Sequence, residues 1–288
     1  MTILKKLLTF LFGLFLILPI CQATETRVLV SIAPYIEIVQ KIGGNLVLVE
    51  LVVPQGADSH NFEPTPKQVQ TVAQSKLWFT IGEVFEKKMQ KALHSLNPEL
   101  KICDLREGLP LLHETCHDHA GGYDPHIWMS PKLMILQAEH ISKCLEELLP
   151  EAKAEIQNNL KQLRSELEAM DLKIHNQFDG KKGLVVLVAH PAYGYFCAEY
   201  GITQIAIEHE GKDPSPKQLT ALIEEAKKLK IKKIFTQSQY PHKGAALIAK
   251  EIGADIVVLN PYSANYFEMM REIAEEFSTP SEYGEPNP

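Results

Sequence analysis

Residues 184–196 have the sequence Leu-Val-Val-Leu-Val-Ala-His-Pro-Ala-Tyr-Gly-Tyr-Phe, in which an unbroken apolar run leads directly into His190. A continuous run of branched apolar residues is typical of a strand that is buried on both faces, as in a parallel sheet. The residues that follow, Tyr193–Tyr200, have a helical pattern. This strand–loop–helix unit predicts an α/β fold with His190 at the carboxyl end of a strand.

The same alternation of short apolar runs and helical patterns extends over both halves of the chain. Strands are predicted at Val28–Ile32, Leu46–Val53, Leu77–Ile81, Leu100–Leu105, Leu184–Ala189, Ile202–Ile207, Lys233–Thr236 and Ile256–Leu259. Helices are predicted at Pro34–Ile42, Pro66–Ser75, Tyr193–Tyr200, Pro216–Lys230, Gly244–Ile252 and Tyr266–Phe277. Because 288 residues suit two domains, we expect two α/β lobes, at 24–142 and 181–277, each a mostly parallel sheet with flanking helices.

A long helix is predicted between the lobes. A first helix should begin at Ser130-Pro131 and end near Pro150, and Glu151–Phe178 then contains neither Gly nor Pro. One apolar stripe follows 4-3-4-3-4 spacing at Ile156, Leu160, Leu163, Leu167, Met170 and Ile174. We assign the linking helix to 143–180 and expect it to run along both lobes and to limit hinge motion. A dimeric coiled coil is the alternative.

The first 23 residues have the composition of a secretory signal peptide. Lys5 and Lys6 precede an apolar run from Leu7 to Ile20, which is too short to span a bilayer comfortably. Cys21-Gln22-Ala23 then provides small residues for cleavage. We expect removal of residues 1–23 and a periplasmic location, with a lipid on Cys21 as the alternative.

Charge, cysteine content and the C-terminus restrict the protein further. The net charge of −7 provides no basic face, which argues against nucleic-acid binding. Four cysteines would remain after export, which are Cys103, Cys116, Cys144 and Cys197. They could form two disulfides, in any of three pairings. Cys144 and Cys197 lie in apolar helical patterns and are expected to be buried free thiols. Residues 278–288 contain three Pro and are expected to be disordered.

Three histidines lie in loops where an α/β protein binds ligands. His60 and His126 each lie just before a predicted helix, and His190 directly follows a strand. Ligands bind beyond the carboxyl ends of the strands in open α/β sheets, so loops from both lobes would meet at a shared cleft. Three imidazoles from distant loops predict a metal site. Carboxylates of Glu63 and Glu208 lie within reach, whereas His209 and His242 are expected to be surface residues.

A second group of metal-binding side chains is local. The segment 113–119 contains three histidines and a cysteine, which are His113, Cys116, His117 and His119. Such Cys/His-rich tracts bind soft and borderline metals, and the following Gly121-Gly122 makes this one flexible. It is therefore expected to be an accessory metal-binding loop, with a solvated polar loop as the alternative.

Five segments together resemble the extracytoplasmic metal-binding proteins of ABC importers, in the zinc/manganese class. They are GADSHNFEPTP (56–66), DPHIWMSP (124–131), AHPAYGYF (189–196), KDPSP (212–216) and GADIVVLNPYSANYFEMM (253–270). The resemblance covers nearly the whole mature chain. It implies two α/β lobes joined by a long rigid helix, one metal in the interlobe cleft, and a membrane permease with an ATPase subunit as partners.

The resemblance also implies the ligand set. Its first three ligands fall on His60, His126 and His190. Manganese-binding members typically have a carboxylate at the third position, so His190 favours zinc over manganese or iron. Many members have Asp at the fourth position, where this chain has Asn260. Its neutral amide is a weak ligand, and water is the alternative.

These observations favour a zinc receptor that is monomeric and not an enzyme. A zinc hydrolase would need a positioned base and room for substrate, and the chain has no HExxH segment. An adhesin, a role sometimes ascribed to surface members of this family, would be compatible with metal binding, but no residue pattern favours it.

Overall fold

The structure is a computed structural model, and it describes residues 25–113, 122–208, 212–240 and 243–279. The predicted signal peptide and most of the predicted disordered tail lie outside the described residues. So do three members of the accessory loop and two of the predicted surface histidines, which are Cys116, His117, His119, His209 and His242.

The first lobe is a four-stranded parallel sheet with helices around it. Its strands are β1 (Thr26–Val30), β2 (Val47–Leu51), β3 (Leu77–Thr80) and β4 (Lys101–Asp104), in the order β2-β1-β3-β4. Its helices are α1 (Pro34–Gly43), α2 (Pro66–Val72), α3 (Val84–Leu96) and α4 (Pro131–Leu148). The parallel sheet confirms the predicted fold class. All four residues of β3 are buried, as expected for a strand that is covered on both faces of a parallel sheet.

A single helix of 26 residues, α5 (Lys153–Phe178), runs along both lobes. At 1.5 Å per residue its length is about 39 Å. It begins later than the assigned segment 143–180, because residues 143–148 belong to α4 and the short turn Pro150–Ala152 separates the two helices. Pro150 lacks the amide hydrogen that a continuous helix would need there.

The second lobe repeats the topology of the first. Its strands are β5 (Val185–Val188), β6 (Thr203–Ala206), β7 (Lys233–Thr236) and β8 (Asp255–Val258), in the order β6-β5-β7-β8 and all parallel. Its helices are α6 (Gly194–Tyr200), α7 (Pro216–Lys228), α8 (Lys243–Ile252) and α9 (Tyr266–Ser278). Within the described residues, no helix has the length and apolar composition needed to cross a membrane.

The apolar stripe of α5 is buried inside the chain. The helix packs against α1 and α4 of the first lobe and against α6 and α9 of the second. Its buried stripe belongs to one hydrophobic core that extends from β1 to α9, through both lobes. The stripe therefore has its partners in this chain and does not require the coiled-coil partner considered above.

Helix α3 has no counterpart among the predicted elements. Its buried apolar residues, Phe85, Met89 and Leu93, are spaced four apart, but seven of the thirteen positions in its sequence VFEKKMQKALHSL are charged or polar. A sparse stripe is enough for this helix because its three buried apolar side chains all join the hydrophobic core.

One cysteine prediction was wrong and another was confirmed. Cys144 of α4 forms a disulfide with Cys103 of β4, whereas Cys197 is a buried free thiol. The helical pattern placed Cys144 on a helix correctly. Which partner it faces depends on how α4 lies across the sheet, and no local pattern contains that information.

Candidate metal centre

His60, His126 and His190 converge on one point between the lobes. The Nε2 atom of His190 lies 3.2 Å from Nε2 of His60 and 3.3 Å from Nε2 of His126. One donor atom from each residue lies within 4.8 Å of the others. Donors bound to zinc at about 2.0–2.1 Å in a tetrahedron are about 3.3 Å apart, so these two separations suit a shared ion.

The loops that carry His60 and His126 contain the same type of turn. Each histidine follows an aspartate by two residues, and each donates its backbone N–H to that carboxylate at 2.9 Å, His60 to Asp58 and His126 to Asp124. Such a turn is a common conformation for Asp and needs no regular secondary structure. It holds both imidazoles in loops of the first lobe, facing His190 at the end of β5.

A carboxylate lies behind each imidazole. Nδ1 of His126 is 2.6 Å from Asp124 Oδ1, Nδ1 of His190 is 2.6 Å from Glu208 Oε2, and Nδ1 of His60 is 3.2 Å from Glu83 Oε2. A ring that donates from Nδ1 to a carboxylate keeps the Nε2 lone pair available and is a stronger metal ligand. All three rings therefore have the environment of a bound metal ligand.

Glu83 is the carboxylate that the sequence analysis missed. It is fully buried, it follows β3, and its Oε1 accepts a hydrogen bond from Ser59 Oγ at 2.9 Å. The preceding Gly82 has φ = +94°, and a Cβ there would lie 2.1 Å from Arg106. The only local signal was an acidic residue at the end of a predicted strand, which is too common to identify a site.

The other predicted carboxylates have different positions. Glu208 contacts His190, but the side chain of Glu63 is 82% exposed and pairs with Lys88 at 3.3 Å. Asp124 packs closely against residue 194. This contact needs a glycine there, because a Cβ at residue 194 would lie 2.6 Å from Asp124 Oδ2. This contact explains the glycine in the segment AHPAYGYF.

Two tyrosines close the cluster on the side of the second lobe. Tyr262 Oη lies 3.1 Å from His126 Nε2 and 3.3 Å from His60 Nε2, and it is 3.2 Å from Tyr240 Oη. The ring of Tyr240 stacks on His190 with centroids 4.4 Å apart. Neither tyrosine was predicted, because an aromatic residue near a strand end usually belongs to the core.

Asn260 is part of a turn. Its Oδ1 accepts hydrogen bonds from the Tyr262 backbone N–H at 3.1 Å and from Gln239 Nε2 at 2.8 Å, and the residue is exposed. The oxygen that contacts the histidine Nε2 atoms at this strand end belongs to Tyr262, two residues further along the chain.

Burial affects the protonation of these groups. It lowers the pKa of His190 to about 4, with an additional contribution from the neighbouring His126 and His60. This ring is therefore neutral at pH 7, as a metal ligand must be. Burial also raises the pKa of Tyr240 and Tyr262 well above the usual value, so both hydroxyls are protonated.

Both ends of the accessory segment are held near the site. His113 and Tyr123 form an antiparallel bridge, and their rings stack with centroids 4.9 Å apart. Tyr195 Oη accepts a hydrogen bond from Leu112 N–H and donates one to the Asp124 carbonyl oxygen, both at 3.0 Å. The segment therefore begins and ends beside the loop that carries His126.

Replacing Glu83 with Gln is expected to lower zinc affinity about 10- to 100-fold, the usual cost of losing a carboxylate behind a ligating histidine. The amide removes the negative charge that favours an Nδ1–H on His60. Isothermal titration with a competing chelator measures the effect. Glu63→Gln is the matched control and should bind zinc like the wild type. Equal affinities in the two variants would show that Glu83 has no part in binding.

The sequence and the geometry agree with a known family. The family described as zinc-uptake complex component A, periplasmic, matches residues 28–279. This chain belongs to that family. The fold and the family are those that the sequence segments above implied.

Individual relatives support the assignment. A crystal structure of ZnuA is 32% identical to this chain with a TM-score of 0.84, and the match covers 88% of this chain and 98% of that one. A ZnuA deletion mutant with zinc bound has the same identity and a TM-score of 0.85, covering 91% and 100%. The high-affinity zinc uptake system protein ZnuA of Bacillus subtilis is 27% identical, over 83% of this chain and 79% of its own length.

Family membership establishes the general role. The protein is a zinc-binding solute receptor of an ABC importer and not an enzyme, which removes the hydrolase alternative. Such receptors work outside the cytoplasmic membrane and pass their cargo to a permease with an ATPase subunit.

Proposed function

We propose that this protein binds one zinc ion through His60, His126 and His190 and presents it to its permease. The observation that supports this most strongly is the convergence of three Nε2 atoms, each from a ring with a carboxylate at Nδ1. Three neutral nitrogen donors suit zinc better than manganese, which prefers oxygen ligands. Zinc in the related ZnuA deletion mutant supports the same cargo here.

Metal analysis tests this cargo directly. Protein purified without added metal is expected to contain about one zinc per chain, and zinc should displace manganese when both are supplied in equal amounts. A protein that retained manganese or iron under that competition would contradict the assignment of zinc.

We also propose that residues 1–23 direct export to the periplasm and are removed, and that the receptor is a monomer. The apolar run after Lys5 and Lys6 supports export. Packing of the α5 stripe within the chain supports a monomer. Intact mass of the exported protein and its size by light scattering test both points. A mass that includes a lipid on Cys21 would support the alternative of a membrane anchor.

Replacing residues 114–121 of the accessory segment is expected to remove a second, weaker zinc and to preserve the first. His113, Cys116, His117 and His119 are close in sequence, and fixing backbone and side chains around an ion costs entropy, which lowers affinity. Replacement with a Gly-Ser linker of equal length keeps the bridge between His113 and Tyr123. Titration calorimetry should then show one site instead of two. Loss of the tight site would instead make the segment part of the main centre.

A further inference from the structure

Four donor atoms meet at the centre, not three, and four of the six separations among them are close to the edge of a tetrahedral zinc site. His190 Nε2 lies 3.2 Å from His60 Nε2 and 3.3 Å from His126 Nε2. Tyr262 Oη lies 3.1 Å from His126 Nε2 and 3.3 Å from His60 Nε2. A tetrahedron of donors around zinc has edges of about 3.3 Å. Tyr262 Oη therefore lies at the spacing of a neighbouring donor from both His126 Nε2 and His60 Nε2.

The position of Tyr262 is set by packing across the two lobes. The residue is 7% exposed, and its ring packs against Trp128 with centroids 5.3 Å apart. Trp128 in turn donates from Nε1 to the Pro261 carbonyl oxygen at 2.7 Å. On the other side, the Asn260 side chain accepts the backbone N–H of Tyr262. The hydroxyl is thus held at the cluster by both lobes.

We infer that Tyr262 Oη is the fourth zinc donor and that it makes the site selective for zinc over manganese. This inference rests on the proposed binding of zinc by the three histidines. Tyr240 Oη lies 3.2 Å from Tyr262 Oη, and either hydroxyl can donate in this hydrogen bond. When Tyr262 donates to Tyr240, a lone pair of Tyr262 Oη is available to the ion.

Selectivity follows from the donor set and its surroundings. Three imidazoles and a phenol provide four neutral donors, enough for tetrahedral zinc. Manganese prefers carboxylate and water oxygens. The carboxylates of Glu83, Asp124 and Glu208 contact the Nδ1 side of the rings, away from the Nε2 cluster. The buried rings of Tyr262 and Tyr240 pack against the cluster, with Tyr240 stacked on His190 at a centroid distance of 4.4 Å.

Tyr262→Phe tests the inference, because it removes one oxygen and keeps the ring that packs on Trp128. We expect zinc affinity to fall about tenfold or more while manganese affinity stays within about threefold, so that the preference for zinc narrows. The visible absorption of the cobalt-loaded protein should also change, since its bands report the donor set. Tyr200→Phe is the matched control, because it removes another buried hydroxyl, which donates to Asp171 at 2.9 Å.

Two further measurements distinguish a failure of the Tyr262 inference from a failure of the proposed function. Thermal unfolding of each variant without metal checks that a lower affinity is not caused by a damaged fold. Suppose that His126→Ala loses zinc binding while Tyr262→Phe keeps the affinities and the cobalt spectrum of the wild type. This result would overturn the role of Tyr262 and leave the three-histidine site intact. Wild-type zinc binding in His126→Ala would instead contradict the proposed function itself.

Discussion

His126→Ala is expected to lower zinc affinity by roughly two to three orders of magnitude. Binding of zinc by four protein donors contributes roughly 10–16 kcal/mol, or about 2.5–4 kcal/mol for each donor, and every 1.4 kcal/mol is a factor of ten. His126 is 2% exposed and its Nδ1 lies 2.6 Å from Asp124 Oδ1, so alanine would leave a buried ligand position without its nitrogen. Competition with a chelator of known affinity measures the change.

The matched control for His126→Ala is His175→Ala. The His175 side chain is 42% exposed on α5 and lies beside Asp171 and Glu199, a group of potential metal ligands separate from the centre. Its loss should leave the tight site unchanged. Comparable losses of affinity in both variants, or a loss below tenfold in His126→Ala, would show that the converging histidines are not the binding site.

Removing the disulfide, by replacing both Cys103 and Cys144 with Ser, is expected to lower the free energy of unfolding by about 4 kcal/mol. The crosslink spans 41 residues of sequence, and closing a loop of that size removes about 13 cal/mol/K of entropy from the unfolded chain. The enclosed segment carries His113 and His126, so its unfolding would also release the zinc ligand proposed at His126. Denaturant unfolding of the metal-free protein measures the difference.

A reductant provides the control for this prediction. Treatment with a dithiol should reduce the stability of the wild type toward that of the double variant and leave the double variant unchanged. Cys197→Ser should respond to the reductant like the wild type, because that thiol is free. A double variant as stable as the wild type would mean that the crosslink does not stabilise the fold.

Local patterns in the sequence were sufficient to predict most secondary structure and to select three histidines that the structure brings together. Strand β7 was predicted at its observed bounds, Lys233–Thr236, and the other strands overlap their predicted segments closely. The reason is that burial on both faces of a parallel sheet requires continuous apolar runs, which are visible locally. The topology of such sheets then places the residues after each strand at one edge, where His190 and the two Asp-x-His turns lie.

What the sequence by itself determined, then, is the α/β class, the long helix and the three imidazoles. Only the tertiary structure decided what surrounds those imidazoles. Tyr262 is 202 residues from His60 in sequence, and Glu83 is 23 residues from it. Cys144 likewise meets Cys103 across 41 residues. The physical reason is that periodicity reports which face of an element is buried, whereas contacts between distant side chains depend on how helices and lobes pack against one another.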